Sequence, residues 1–142
     1  MNQYFFEDLT LGRRESLSRN VSAALIEAFA EVSGDNNALH LDAGYAATTR
    51  FKERIAHGAL LSSFVSAVLG TVMPGLGTVY LSQTVKFLAP VKIGDTVQTT
   101  AEVIGRDEVK NKVTLRTCCH VGDMMVVDGE AIVYVPSRSS VM

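Results

Sequence analysis

The sequence predicts a single α+β domain in which one long central helix is wrapped by a curved antiparallel sheet of about five strands. Two observations predict this fold class. Residues 58–71 are apolar or small on nearly every side, which is typical of a helix that other elements surround. Four long segments rich in Val, Thr, Ile and Tyr follow, and short loops separate them, as in a strongly bent antiparallel sheet. The natural packing places the sheet around the helix in two layers.

Length and composition indicate one globular domain. The chain has 142 residues, of which 47% are apolar and 20% are charged, close to the average of folded proteins. No internal repeat, Pro/Gly-rich linker or long charge block marks a boundary. We therefore expect a single domain over residues 1–142.

Charge, hydropathy and cysteine content exclude several functions. The 13 basic residues nearly balance the 15 acidic ones, so no whole-chain positive field attracts nucleic acid. The most apolar stretch, 58–70, is shorter than the roughly 20 residues of a membrane span, and residues 1–8 do not resemble a secretory signal. Cys118 and Cys119 are adjacent and point to opposite faces of a strand, which disfavours a disulfide. A zinc ligand set is also missing. We expect a cytoplasmic protein with reduced thiols, no metal and no membrane or nucleic-acid partner.

The first half of the chain is predicted to form short elements. Ser22 precedes apolar residues spaced like one helical face, and a serine at that position caps a helix. The turn-forming residues 33–37 end that helix. The predicted elements are a strand at 13–21, a helix at 23–32, the turn at 33–37 and a short turn at 43–49 capped by Asp42.

The second half is predicted to hold the central helix and most of the sheet. The helix at 58–71 ends in a loop at 73–77, and Pro, Gly, Asp and Asn residues then separate the strands. The predicted strands cover 78–88, 96–107, 112–121 and 124–135.

The informative stretch places the carboxylate of Asp35 five residues before the imidazole of His40. On a continuous helix these side chains would point about 140° apart. They converge only if the segment is a turn, and Gly34, Asn36 and Asn37 supply turns. A carboxylate and an imidazole around one small molecule can activate a water and deliver a proton. The spacing alone also allows an alternative without a catalytic role, in which Asp35 caps the turn and the His40 ring is half-buried.

The same stretch resembles the hydratase-2 signature of the (R)-specific enoyl-CoA hydratases in the MaoC-like family. One position departs from the signature, since Ala38 stands where the family usually has proline. The loss removes a fixed φ but no chemical group. The residues in register are Phe29, Val32, Ser33, Gly34, Asp35, Asn37, Leu39, His40 and Ala46.

The resemblance extends over most of the chain, about residues 9–135, and leaves 136–142 as a tail. Further similar segments lie in the same order at 46–51, 55–61 and 73–77, with the last at 87–95. The resemblance implies a hotdog fold, in which an antiparallel sheet wraps a long helix. It also implies a homodimer whose two sheets join edge to edge.

The resemblance implies reversible syn hydration of a trans-2-enoyl-CoA to the (R)-3-hydroxyacyl-CoA. Asp35 and His40 would hold the attacking water, and the Gly58 N–H would stabilise the enolate oxygen. Gly58 suits that role physically, because the start of a helix has free N–H groups and the positive end of the dipole. Coenzyme A is part of the substrate, and no separate cofactor is implied. Polyester precursor supply and fatty-acid breakdown are both consistent with this reaction.

Several other residues have two readings each. Asn37 shapes the turn or orients the pair, with direct substrate binding or catalysis as its alternative role. The Ser66 hydroxyl bonds to the substrate within the site or to a helix carbonyl. His57 is a rival base, but its place beside Gly58 favours positioning of the oxyanion donor. His120 is expected to have no chemical role.

The surroundings of the site are also predicted. A basic cluster before the central helix is a solvated surface or a contact for coenzyme A phosphates: Arg50, Lys52 and Arg54. Apolar residues of the central helix are expected to line the acyl pocket: Leu60, Phe64 and Val68. Two other functions stay open, a hotdog acyl-CoA thioesterase and a non-catalytic acyl-CoA-binding module. The Asp35 and His40 pair argues against both.

Overall fold

The computed structural model describes residues 1–141, which form one five-stranded sheet and a layer of helices. Short 3-10 turns lie near the two ends, at Phe6–Asp8 and Arg138–Val141. The helices are α1 (Ala23–Ser33), α2 (Ala38–Leu41), α3 (Ala43–Ala47) and α4 (Gly58–Ala67). The strands are β1 (Arg14–Asn20), β2 (Val79–Phe87), β3 (Thr96–Asp107), β4 (Lys112–Val121) and β5 (Met124–Tyr134).

The sheet has the strand order β1-β3-β4-β5-β2, and every neighbouring pair is antiparallel. The strands β3, β4 and β5 follow one another as hairpins. The strand β2 pairs with β5 rather than with β3, so β1 and β2 are the two edges. The predicted class, an α+β domain with about five antiparallel strands against a central helix, is confirmed.

One face of α4 packs on the inner face of the sheet. The buried helix residues are Leu60, Leu61, Phe64 and Val65. They join the buried strand residues Val97, Ala101, Val103, Val113, Leu115, Val127, Ala131 and Val133 in one core. Burial of this apolar area is the main stabilising contribution to the fold.

The central helix differs from its prediction in two ways. It ends at Ala67 and continues as a π-helical turn at Val68–Val72, rather than as one α-helix over 58–71. Its opposite face is open, with Ser63 and Ser66 both exposed. The sheet therefore covers only one side of the helix. The small residues on the other side cannot be distinguished by sequence from those of a buried face.

The predicted caps of α1 and α3 are confirmed. The Ser22 hydroxyl accepts a hydrogen bond from Leu25 N at 3.1 Å, and the Asp42 carboxylate accepts one from Tyr45 N at 3.0 Å. Gly34 ends α1 with φ 81°, a left-handed conformation that favours glycine. The four-residue helix α2 was not predicted, because so short a helix has no periodicity to read.

The two cysteines lie on opposite faces of β4, as predicted, and both are free thiols. The Cys119 side chain is fully buried, and Cys118 Sγ lies 3.5 Å from an oxygen of Asp128. Burial raises the pKa of Cys118 to about 11 and also raises the pKa of Cys119. Both thiols therefore stay protonated at neutral pH. Within residues 1–141, none of the helices combines the length and apolar character that a membrane crossing requires.

Candidate active site

The loop after α1 is shaped by its own polar side chains. The Ser33 hydroxyl accepts a hydrogen bond from Asp35 N at 3.0 Å, and the Asp35 carboxylate accepts one from Asn37 N at 3.3 Å. The Asn37 amide oxygen in turn accepts from Leu39 N at 3.0 Å and so caps α2. This chain of contacts folds the segment back, and His40 follows in α2. Asn37 thus shapes the turn, which is one of its predicted roles, and a direct role in the reaction stays a prediction.

The turn brings Asp35 and His40 together. A carboxylate oxygen of Asp35, a ring nitrogen of His40 and a ring nitrogen of His57 all lie within 4.8 Å of one another. A water bonded at about 2.8 Å to each of two groups spans roughly 4–5 Å. The spacing of the predicted pair therefore suits one bridging water.

The contacts of His40 fix which ring nitrogen can act as a base. His40 Nδ1 lies 2.8 Å from the carbonyl oxygen of Ile55. A carbonyl oxygen only accepts hydrogen bonds, so Nδ1 carries the proton of the neutral ring and Nε2 carries the lone pair. The backbone of His40 is held too, because Arg54 Nε donates to its carbonyl oxygen at 2.7 Å.

Arg54 thus has a role that the sequence did not reveal. Its side chain is only 14% exposed and lies 3.6 Å from Glu27 of α1, so it fixes α2 against α1. The three residues of the basic cluster therefore have different surroundings. Arg54 bonds to the backbone of His40, Lys52 is exposed, and Arg50 lines the cavity described below.

His57 lies behind the pair, at 1% exposure. Its Nε2 is 2.9 Å from the backbone carbonyl oxygen of Asp35, and its ring stacks on that of His40 with centroids 3.9 Å apart. Phe29 of α1 packs against the same ring, 4.9 Å away. The sequence assigned His57 to the neighbourhood of Gly58 but gave no sign of its contacts with Asp35 and His40.

The grouping of Asp35, His40 and His57 resembles a metal ligand set in composition only. The two rings are 27° from parallel. The lone pair of an imidazole nitrogen lies in the plane of its ring. Because the two rings are stacked, their lone pairs cannot both point at one metal ion at the Zn–N distance of about 2 Å. A metal ion at this position needs one ring to rotate away from its hydrogen bond.

Gly58 places a free amide beside His40. It is the first residue of α4, so its N–H has no acceptor within the helix. The segment before it is tied to the far side of the site, where Ala56 N donates to Val91 O at 2.7 Å. A Cβ on Gly58 would lie 2.9 Å from the Phe87 ring, so only glycine fits this contact without a shift.

A cavity of about 400 Å³ opens beside His40 and Gly58. Asp35 is exposed in the single chain and lies outside the cavity wall. Most of the wall is apolar. Its residues are His40, Arg50, Phe51, Ile55, Ala56, Gly58, Ala59, Leu61, Phe87, Leu88, Ala89, Pro90 and Val91.

The apolar residues predicted for the acyl pocket are placed elsewhere. Leu60, Phe64 and Val68 are buried, but none of them lines this cavity. The first turn of α4 contributes Ala59 and Leu61 instead. Ser66 is exposed, two turns along α4, and also lies outside the cavity wall. A role for its hydroxyl stays a prediction.

Comparison with known proteins decides the family. Residues 10–122 match the family described as MaoC like domain. The chain belongs to this family. The (R)-specific enoyl-CoA hydratase of Rhodospirillum rubrum is 49% identical over 95% of this chain and 94% of its own length. The 3-hydroxybutyryl-CoA dehydratase of Methylorubrum extorquens is 46% identical over 94% of this chain and 85% of its own.

Solved structures agree with this assignment to the MaoC-like family. The (R)-hydratase from Aeromonas caviae involved in PHA biosynthesis superimposes with a TM-score of 0.89 at 43% identity. The match covers 92% of this chain and 99% of that one. The hotdog fold that the sequence resemblance implied is confirmed.

The missing proline of the MaoC-like signature can be restored. Ala38 is the first residue of α2, where an N–H has no partner within the helix, and Asn37 before it has ψ 131°, which suits a following proline. We expect Ala38→Pro to be neutral or to raise the free energy of unfolding by up to about 1 kcal/mol. Thermal or urea denaturation measures it, and a clear fall in Tm would contradict the compatibility of this backbone with proline.

Proposed function

We propose that this protein is an (R)-specific enoyl-CoA hydratase, which reversibly adds water to a trans-2-enoyl-CoA to give the (R)-3-hydroxyacyl-CoA. The observation that carries the proposal is the convergence of Asp35 and His40 within 4.8 Å beside a cavity that His40 and Gly58 both line. Two relatives support it by their names, the (R)-specific enoyl-CoA hydratase and the 3-hydroxybutyryl-CoA dehydratase.

The acid–base step belongs to Asp35 and His40. The carboxylate accepts a hydrogen bond from the water, and His40 Nε2 takes its proton as the oxygen bonds to C3. The pair then delivers a proton to C2 from the same side, so one water is added across the double bond in syn fashion. General acid–base catalysis of this kind accelerates a step by about 10²–10⁴-fold.

The charge that builds on the thioester oxygen is stabilised by Gly58. As C3 is attacked, electrons move onto the carbonyl oxygen to form an enolate. We propose that the free N–H of Gly58, at the positive end of the α4 dipole, donates a hydrogen bond to that oxygen. A fixed donor aimed at developing charge contributes several kcal/mol, about 3–4 for one oxyanion-hole bond.

No separate cofactor is needed for this reaction. Hydration is redox-neutral, so acid, base and amide suffice, and coenzyme A enters as part of the substrate. The apolar wall formed by Ile55, Leu61, Phe87 and Val91 suits the acyl chain. Arg50 lies 4.7 Å from the Phe51 ring and lines the cavity, which supports it as the member of the basic cluster that binds a coenzyme A phosphate.

Mixing the protein with crotonyl-CoA tests the proposal directly. A hydratase removes the enoyl absorbance and releases no free thiol, and chiral analysis should give the (R)-3-hydroxybutyryl product. A thioesterase would release free thiol, and a binding module would change neither signal. Either of these last two results would overturn the proposed function.

The working form is proposed to be a homodimer joined through β2. Only Leu17 is apolar among the seven residues of the other edge, β1. The edge strand β2 instead exposes Val79, Tyr80, Leu81 and Phe87, each by more than two-fifths of its surface. An exposed apolar edge with free backbone groups is a template for pairing with another strand. A dimer would also cover the site, where Asp35 is exposed in the single chain.

We expect Leu81→Lys to shift the protein from dimer to monomer, because a charge at an edge blocks strand pairing. The matched control is Leu17→Lys on β1, an exposed leucine at the opposite edge. Sedimentation velocity of both variants measures the effect. A dimeric Leu81→Lys or a monomeric Leu17→Lys would contradict the assignment of the interface to β2.

The cellular compartment is proposed to be the cytoplasm. The free thiols of Cys118 and Cys119 support a reducing environment.

A further inference from the structure

His57 lies at the junction of the two halves of the site. Its backbone precedes Gly58, the proposed oxyanion donor, and its side chain reaches back to the loop that carries Asp35. The two chain segments are 22 residues apart in sequence. One residue therefore connects the loop of the acid–base pair to the start of α4, where the proposed oxyanion donor lies.

The hydrogen bonds of His57 indicate the tautomer of its neutral ring. The backbone oxygen of Asp35 accepts from Nε2 at 2.9 Å, so Nε2 carries the proton. In the neutral ring Nδ1 then holds the lone pair. Nδ1 is buried, and within the described part of the chain it has no hydrogen-bond partner. The neutral tautomers of His57 and His40 are thus opposite, since His40 bears its proton on Nδ1.

These contacts exclude His57 as the base and give it another role. The ring is 1% exposed and does not line the cavity, so it does not reach a substrate. It is instead clamped between Phe29 and His40, at centroid distances of 4.9 and 3.9 Å. A ring held on both sides, and bonded at one nitrogen, is a rigid spacer.

We infer that His57 is a positioning residue, whose ring fixes Asp35 and His40 at a set distance from the Gly58 amide. The inference rests on the proposed hydratase function. The Nε2–H bond sets the position of the Asp35 backbone, and the stacked face stops the His40 ring from rotating away from the water. Reacting groups misplaced by about 1 Å can cost 10²-fold in rate.

Two substitutions separate the two contacts. His57→Phe keeps a flat ring against His40 but removes the donor to Asp35, whereas His57→Gln keeps an N–H donor and removes the ring. We expect His57→Phe to lower kcat for crotonyl-CoA hydration about 10²-fold with KM within about threefold of wild type. His57→Gln should recover about tenfold of that loss by restoring the bond to Asp35. The control is His120→Gln, which changes a histidine outside the site.

The outcomes distinguish this inference from the proposed function. Wild-type protein without hydratase activity overturns the function, and with it the inference. Active wild type with both His57 variants at wild-type kcat overturns the inference alone. A raised KM with kcat unchanged would also overturn it, since that pattern reports lost substrate binding rather than misplaced catalytic groups.

A measurement on the unaltered protein keeps the inference testable if His57→Phe fails to fold. Long-range ¹H–¹⁵N correlation spectra of the histidine rings should show Nε2–H for His57 and Nδ1–H for His40. A His57 ring protonated at Nδ1 would mean that the bond to Asp35 is not made, and the positioning role would be overturned.

Discussion

Replacing Asp35 by Asn, or His40 by Gln, should lower kcat for enoyl-CoA hydration by about 10²–10⁴-fold for each group. Asparagine keeps the shape of the carboxylate and its acceptor for Asn37 N, so the turn is preserved. It loses the negative charge that is proposed to orient the water and to favour transfer of its proton. Glutamine at position 40 loses the basic Nε2. Steady-state kinetics with crotonyl-CoA measure both variants.

The matched controls are Asp123→Asn, in the exposed turn between β4 and β5, and His120→Gln on β4. Each makes the same chemical change away from the site and should leave kcat unchanged. Circular dichroism and sedimentation should show an intact fold and oligomer in all four variants. Activity within a few-fold of wild type in both Asp35→Asn and His40→Gln would refute the acid–base assignment.

Replacing Gly58 by Ala should lower kcat about 10²-fold, the cost of one oxyanion-hole donor. The added methyl would lie 2.9 Å from the Phe87 ring, so either the ring or the start of α4 must shift. The shift moves the N–H away from the carbonyl oxygen that it is proposed to hold. Helix propensity gives no reason for the free energy of unfolding to fall, because alanine is a better helix former than glycine.

Gly70→Ala is the control for Gly58→Ala. Gly70 continues the same helical segment, and a Cβ there meets nothing within 4 Å. Its kinetics should match wild type. The double variant Gly58→Ala with Phe87→Leu relieves the contact with the ring. Equal activity of Gly58→Ala and Gly70→Ala would argue against an oxyanion role for the Gly58 amide.

The regular elements of the fold could be predicted because each has a local cause. Periodicity and caps placed α1 to within a residue at its end, and loops rich in Gly, Asp and Pro bounded the four late strands. Strand order could not be read in this way. The pairing of β2 with β5 requires the segment between β2 and β3 to pass from one edge of the sheet to the other side of β4 and β5, and no local pattern encodes that crossing.

The convergence of Asp35 and His40 could be predicted because both belong to one short motif with its own turn residues. Their supports could not. The bond from Arg54 to His40 O spans 14 residues, and the bond from His57 to Asp35 O spans 22. Each joins separate segments that only the folded domain brings together. Arg54 also belongs to a group of basic residues that is typical of a solvated surface, so the sequence gives no sign of its structural contact.

Phe87 belongs both to the proposed dimer interface and to the proposed active site. Its ring lies against Gly58 in the wall of the proposed acyl cavity, and its backbone ends the strand through which two copies are proposed to associate. Separation of the protomers would leave that ring without support on its outer side, and the amide beneath it would gain access to bulk solvent. Specific activity should therefore fall on extreme dilution of the enzyme, before any loss of secondary structure.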